Sequence, residues 1–426
     1  MTPFLLRHKE FIGNVAILMS GKGLAAAIAF LTMPIVARLF VPEDFGVAAM
    51  FVSACSIISS VSTLRYAGAV VLPKSDDEAA EIMSLALRVS VTVCLLVLLA
   101  LLVLELSGLS PRAIQLITPW HWAVPVGTLL LSVVFIQESW LTRIKGFRIA
   151  SASVVAGNSM TSGSRIAFGA AFGTSITGLI GGYLIGVCTK IGVHQIGGTG
   201  GLRAAFASIS RDRAVTLARQ YSDFPLYNAP AGLLFAIGQN LPVFLFGTMF
   251  SATVAGFYGM ADRLARVPIG IVALSVRRVF LQRAADIMTR HGRLRSAYFL
   301  SSGGLALLGL IPFGTLFLFG EPILETVLGD RWATAGRYME IMAPWLFTMW
   351  CTAPSHPILI VLREQRFWLI LQGVFTVIRL LALYLAYRYG AGPETALSAF
   401  VAASALGDAT TALVVARRAE RHDRQI

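Results

Sequence analysis

The residues of this sequence that could do chemistry lie inside long apolar stretches. Lys22, Arg65, Arg88, Arg165, Arg263, Arg266 and Arg379 are flanked by Ala, Leu, Ile, Val, Phe and Gly, and the acids Glu138, Asp262 and Asp408 share such surroundings. A charge at the centre of an apolar helix costs about 2.5–3.5 kcal/mol on insertion scales, so it turns to a bundle interior or cavity, or pairs with another charge. The excess is positive, which points to an anionic ligand, because a carrier of cationic drugs is expected to show the opposite sign. Lys22, Arg263, Arg266 and Arg379 stand deep in their stretches and Arg165 nearer one end, and for each a substrate-facing role competes with internal pairing. Asp262 and Arg266 are four apart, the spacing that neutralises two charges on one helix face. Arg65 and Arg88 stand nearer the ends of their stretches, where long side chains can snorkel to water. Asp408 and Glu138 are the candidates for ion coupling, since acids inside a membrane often serve as proton relays. A nearby arginine could instead hold Asp408 ionised as a structural pair.

Other chemistries find little support. Gly21-Lys22-Gly23 lacks the upstream glycine and the following Ser or Thr of a phosphate-cradling loop, which argues against an ATP-driven pump. His8, His121, His194, His291, His356 and His422 show none of the four-residue spacing that would put two metal ligands on one helix face. Cys55, Cys94, Cys188 and Cys351 each fall in an apolar stretch without paired spacing, and read as small core residues. Asp76-Asp77-Glu78 suits the first turn of a helix, where the dipole favours acids, better than a metal site. No cofactor, metal or catalytic group is expected.

The elements that must position these residues follow from hydropathy. The chain has 426 residues, 56% hydrophobic and 13% charged, more apolar surface than one or two soluble cores could hide. A spanning helix needs roughly 20 mostly apolar residues. Windows of that kind fall at 12–38, 45–71, 82–106, 120–142, 150–172, 176–195, 226–250, 253–281, 297–319, 339–362, 367–388 and 394–415. An even number puts both termini on one side. Of the 35 Lys and Arg, 23 fall in the tails and in alternate connections, including Lys74, Arg143, Lys145, Arg148, Lys190, Arg203, Arg211, Arg213, Arg219, Arg277, Arg278, Arg290 and Arg293. Only Arg38, Arg112, Arg331, Arg337 and Arg388 fall in the others. The positive-inside rule therefore places both termini in the cytoplasm, accounts for the net charge of +13 without nucleic acid, and makes Met1 to Phe11 a retained cytoplasmic tail.

The longest inner connection, 196–225, opens with Gly197, Gly198, Gly200 and Gly201 and continues into a basic stretch. It divides the chain into an N-lobe over 1–200, a basic cytoplasmic linker over 201–225 and a C-lobe over 226–426. Phe40 and Gly46 after helix one echo Phe250 and Gly256 after helix seven, the mark of duplicated halves. The longest outer connection is expected at about 320–338. Prolines inside windows, such as Pro242, Pro268, Pro344 and Pro354, permit kinks.

Arg38-Leu-Phe-Val-Pro42-Glu43-Asp44-Phe45-Gly46, with Arg65-Tyr66 and Leu72-Pro73-Lys74, resembles the amino-terminal pattern of bacterial polysaccharide flippases. These are the O-antigen and exopolysaccharide repeat-unit translocases of the multidrug/oligosaccharidyl-lipid/polysaccharide exporter superfamily. Further similar segments are Arg143-Ile-Lys145-Gly-Phe147, Tyr221-Ser-Asp-Phe224-Pro225-Leu-Tyr227-Asn-Ala-Pro230, Gly256-Phe-Tyr258 with Arg263 and Pro268, Gly329-Asp330-Arg331-Trp332, and Pro344-Trp345. The resemblance implies an all-α, polytopic bundle of about twelve transmembrane helices in two pseudo-symmetric six-helix lobes, V-shaped around a central cationic cavity. It implies export of lipopolysaccharide or exopolysaccharide repeat units linked to undecaprenyl pyrophosphate across the inner membrane, without covalent chemistry. Lys22, Arg65, Arg165, Arg263, Arg266 and Arg379 would bind that substrate, although Lys22 stands where such proteins often have an uncharged polar residue. Partners would be the lipid-linked oligosaccharide and membrane lipids, with a polysaccharide polymerase and a chain-length regulator nearby.

Three alternatives compete. A multidrug exporter of the same superfamily is disfavoured by the buried positive charge. A peptidoglycan-precursor flippase would resemble a fourteen-helix chain. A membrane polymerase or ligase acting on lipid-linked glycans would carry a large outer loop with catalytic groups.

Overall fold

The computed structural model describes residues 3–173, 175–197, 209–289 and 292–424, which leaves Gly198, Gly200, Gly201, Arg203, Arg290 and His291 outside the described residues, along with the side chains of His8, Pro268, Arg277 and Arg278. Each apolar window is mostly helical, and the described residues contain no strand. The helices are α1 (Pro3–Leu39), α2 (Pro42–Ser62), α3 (Asp76–Leu106), α4 (Val124–Arg143), α5 (Phe147–Phe172), α6 (Ile176–Ile196) and α7 (Arg211–Gln220). They continue with α8 (Ala229–Met249), α9 (Ala252–Thr289), α10 (Leu294–Leu328), α11 (Ala333–Cys351), α12 (Ser355–Val361), α13 (Gln365–Arg388) and α14 (Pro393–Asp423). Among the described residues nine helices are long and apolar enough to cross a membrane; α5, α9 and α11 occupy the other three windows. The protein is an all-helical, multi-pass membrane protein.

Several boundaries move for identifiable reasons. The second window ends early: α2 stops at Ser62, Leu64 and Arg65 take left-handed backbone at φ 45° and 61°, and a 3₁₀ helix occupies Tyr66–Val71. Arg65 therefore sits in a turn, not inside a span. The tenth window is two helices, because α11 ends at Cys351 and α12 resumes only after Pro354. The expected long outer connection shrinks to 329–332, since α10 continues through Pro322 with a break in helical geometry at Phe319 (φ −134°). Lys190, assigned above to a connection, lies within α6.

Polar caps and ion pairs fix the start of α3 and of α7. Ser75 caps α3 by accepting a hydrogen bond from the Glu78 amide, with Asp76, Asp77 and Glu78 in the first turn as expected. Arg143 ties α4 to this corner through Asp76 (2.8 Å) and the carbonyl of Pro73 (2.7 Å). The linker carries α7, capped by Ser210 and docked on α3 by Arg213–Glu81 (2.8 Å) and by Tyr221 donating to Glu78 (3.0 Å). Burial, then the bond to the Glu78 carboxylate, holds the Tyr221 phenol above the usual tyrosine range. Arg88 donates to the Ile209 carbonyl at 2.9 Å, so it serves the same dock.

The chain divides into two compact units, residues 1–255 and 256–426. In unit 1, α5 packs between α1 and α6, and the seventh span, α8, packs on α2. Gly157 of α5 and Gly186 of α6 bring backbones together: a Cβ on Gly186 would lie 2.7 Å from the Gly157 carbonyl. In unit 2, α10 and α11 meet at Gly320 and Gly336, where a Cβ on Gly336 would lie 2.5 Å from the Glu321 Cα. Lipid tails are as apolar as leucine, so such close approach, not hydrophobic burial, drives helices together within a bilayer.

Candidate substrate site

Unit 1 holds Lys22, Arg65, Arg165 and Glu138. The turn that ends α2 swings Arg65 back under α8. Its Cζ lies 5.7 Å from the centroid of Phe135, and its guanidinium lies against Gly232, where a Cβ would be 2.1 Å from Nη2. The Nε is buried with no hydrogen-bond partner. Burial without an opposing carboxylate pulls its pKa below the usual arginine value. Two consecutive non-glycine residues in left-handed backbone cost of order 1–3 kcal/mol each, and such strain clusters at ligand-binding sites. Arg65 is thus a half-buried cation in an expensive conformation with spare hydrogen-bonding capacity.

Arg165 is different. It is buried, its Nε donates to the Leu179 carbonyl at 3.1 Å, and its stem lies over Gly182. That arrangement fastens α5 to α6. Lys22 is exposed on α1, Glu138 is exposed on α4, and the charges of Lys22 and Lys190 both act on Glu138. Lys190 falls close to the end of its window, where a cation reads as a topology signal. Its four-residue spacing to His194 inside an apolar stretch was the available clue.

Unit 2 holds Arg263, Arg266, Arg379 and Asp408. Arg266 pairs with Asp262 at 2.5 Å, hydrogen-bonds Tyr258 and lies 5.2 Å from the centroid of Trp345. The pairing alternative therefore holds for Arg266. Arg379 donates to Thr376 (3.1 Å) and lies 6.0 Å from the Phe400 centroid. Asp408 is not isolated: Thr348 donates to it at 3.3 Å, Trp345 also bonds it, and the charges of Arg379 and Arg266 act on it. Trp345, Thr376, Arg379, Ser404 and Asp408 line a cavity of about 20 Å³. A cavity that size takes about one water, so it suits a water or a proton, not a diphosphate. Arg263 is exposed on α9, one turn before Arg266. Thr348, which helps organise this network, is neutral and carries no signal in the sequence, and Tyr258 stands out there only as part of the Gly256-Phe-Tyr258 resemblance.

The sequence profile of the polysaccharide biosynthesis protein family matches residues 35–336. Among curated proteins no match was found. The fold is similar to that of solved transporters. The lipid II flippase MurJ in an inward closed conformation aligns with a TM-score of 0.75 at 13% identity, covering 94% of this chain and 87% of that one. An inward-facing multidrug resistance MATE family transporter of the MOP superfamily aligns with a TM-score of 0.63 at 16% identity, covering 97% and 99%. The MATE multidrug transporter DinF-BH aligns with a TM-score of 0.64 at 16% identity, covering 97% and 95%. The chain thus belongs to the polysaccharide biosynthesis protein family and is built on the fold of the MOP-superfamily transporters.

Proposed function

We propose that this protein is a lipid-linked oligosaccharide flippase that moves undecaprenyl-pyrophosphate-linked repeat units from the cytoplasmic to the periplasmic leaflet by alternating access. The observation that carries the reading is the set of cations on or beside the spans that form no salt bridge with a carboxylate among the described residues, with Lys22, Arg65 and Arg263 foremost. Fixed cations lower the cost of holding a diphosphate in a low-dielectric bundle. Arg grips phosphate oxygens through its planar fork, and Lys acts as a point charge. Family membership and fold support transport of a polysaccharide precursor and give no reason to assign a catalytic reaction. Arg165, Arg266 and Arg379 then shape and charge the bundle rather than grip the substrate directly. Asp408, beside a water-sized cavity, is the candidate for energy coupling. The charge asymmetry supports an inner-membrane location with both termini cytoplasmic. Two six-helix halves joined by the basic linker supply the moving parts, and a polymerase and chain-length regulator would consume the product.

A translocation assay in proteoliposomes, with a fluorescent lipid-linked oligosaccharide, tests this reading. Lys22→Ala and Arg263→Ala are expected to abolish flipping at normal protein level, and Arg263→Lys to recover part of it. Normal flipping by both alanine variants would place the binding site elsewhere. Efflux of cationic dyes with no lipid-linked oligosaccharide transport would replace the reading with that of a multidrug exporter.

A further inference from the structure

The left-handed residues Leu64 and Arg65 run straight into the 3₁₀ helix Tyr66–Val71, so the seat of that helix decides where the Arg65 guanidinium lies. Short bonds close the turn on itself: the Tyr66 amide donates to the Thr63 carbonyl at 3.0 Å, and the Gly68 amide to the Arg65 carbonyl at 2.9 Å. Contacts from two other elements hold it in place. Arg143 of α4 donates to the Val70 carbonyl at 3.2 Å and pins the far end of the 3₁₀ helix. The linker holds the near end. There the Tyr66 hydroxyl donates to the Ala218 carbonyl of α7 at 3.2 Å. The Phe224 ring lies on Gly68, where a Cβ would stand 3.3 Å from its Cε1. Phe224 also opens a π-helical turn, Phe224–Asn228, that joins the linker to α8, and Gly232 of α8 then lies against the guanidinium itself. One stretch of chain, residues 209–232, thus docks on α3 through Ile209, Arg213 and Tyr221, clamps the 3₁₀ helix through Ala218 and Phe224, and covers Arg65 through Gly232. Ile209 and the fully buried Leu217 share an apolar cluster with Tyr66, Ala69 and Val70, which makes dock and clamp one packing unit.

We infer that the linker positions Arg65: docked on α3 it holds the guanidinium ready for an anionic headgroup, and undocked it releases the turn and the cation with it. The inference rests on the proposed role of Arg65 in binding the lipid-linked diphosphate, and it makes Tyr66, Phe224 and α7 positioning elements that act through Arg65. The physical reason is the cost of the turn. Left-handed backbone at non-glycine residues persists only where the surroundings over-determine it, and the linker supplies two of the restraining contacts. Without them the turn relaxes, and the guanidinium moves with it, since its Nε has no hydrogen-bond partner to keep it in place. The dock can open, because the Arg213–Glu81 pair at its rim is partly exposed and such pairs are weak. Linkage then runs both ways: a ligand that needs the positioned cation stabilises the docked linker by the same factor by which docking raises its affinity.

The test uses the full chain in nanodiscs, with farnesyl pyrophosphate as the probe in a tryptophan-fluorescence titration and trypsin cleavage between Arg211 and Arg219 as the measure of docking. Arg65→Ala is expected to bind the probe about tenfold more weakly than wild type. Phe224→Ala and the milder Tyr66→Phe are expected to lose about threefold to tenfold, and to lose nothing further when combined with Arg65→Ala. Saturating probe is expected to slow cleavage about fivefold in wild type and to leave it unchanged in Arg65→Ala. If both linker-contact variants bind as wild type, if their losses persist undiminished beside Arg65→Ala, or if the probe binds wild type without slowing cleavage, the linker does not position Arg65, while the substrate reading stands. If wild type ignores the probe, or Arg65→Ala binds it as wild type does, the role of Arg65 falls and the inference falls with it.

Discussion

Substituting alanine for Gly232 moves Arg65 without removing any charge. The added Cβ would lie 2.1 Å from Nη2, 2.6 Å from Nε and 2.7 Å from Cζ of Arg65, whereas ordinary contact begins near 3.4 Å. The guanidinium must therefore withdraw by roughly 1.3 Å, the difference between those two distances. The stability cost is small, because the yielding group is the end of a flexible side chain. What is lost is the contact with Phe135, worth ~0.5–1 kcal/mol at a half-exposed site, and helical alanine regains a similar amount over glycine. The effect on function is larger. A hydrogen bond from a cation to a charged partner contributes ~1.5–3 kcal/mol, which converts to about 10–100-fold in affinity at 1.4 kcal/mol per tenfold. Gly232→Ala is thus expected to melt within a few degrees of wild type while flipping roughly 10–100-fold more slowly at limiting substrate. The assay is single-vesicle flipping of a fluorescent lipid-linked oligosaccharide, with thermal unfolding in detergent as the control. Gly232→Ala combined with Arg65→Ala should be no slower than Arg65→Ala alone, since both remove one interaction. Wild-type flipping by Gly232→Ala, or full additivity in the double variant, would refute the role given to Arg65.

In unit 2, Asp262→Asn leaves Arg266 uncompensated in a partly buried setting and is expected to destabilise by about 1–3 kcal/mol in thermal unfolding, less than the loss of a fully buried pair. Adding Arg266→Gln should recover much of that loss; no recovery would mean that Asp262 acts elsewhere. Asp408→Asn is expected to make flipping insensitive to dissipating the proton gradient, and an unchanged response would end the coupling assignment. With Cys55, Cys94, Cys188 and Cys351 replaced, Ser107→Cys and Gly392→Cys should react with an impermeant thiol reagent from the periplasm and Thr289→Cys should not. Reversed labelling would invert the topology. Tyr221→Phe is expected to loosen α7 from α3, seen as faster proteolysis near Ser210; because burial and the Glu78 bond raise the Tyr221 pKa, the wild-type anchor persists through the ordinary tyrosine range and is lost only at higher pH.

Local composition determined the class of this protein. Twelve apolar stretches, punctuated by Lys and Arg concentrated in alternate connections, are a one-dimensional pattern that the bilayer reads directly, so each stretch carries a helix. The acidic first turn of α3 was equally legible, because capping depends on residues within one turn. The i,i+4 spacing likewise foretold the Asp262–Arg266 pair. Tertiary structure decided which charges are spent and which are available. Arg165 and Arg266 look the same as Arg65 and Lys22 in sequence, yet one is consumed by the Leu179 carbonyl and the other by Asp262. Arg65 is instead lifted out of its span by two left-handed residues that no apolar count could reveal. Lys190 lies inside α6 and not in a connection, and Gly157, 33 positions earlier, leaves room for its stem. Partners that distant in sequence, and neutral organisers such as Thr348 and Gly232, carry no local signal. Their effect exists only once helices have chosen their neighbours, since the energy of a charge depends on what surrounds it in space.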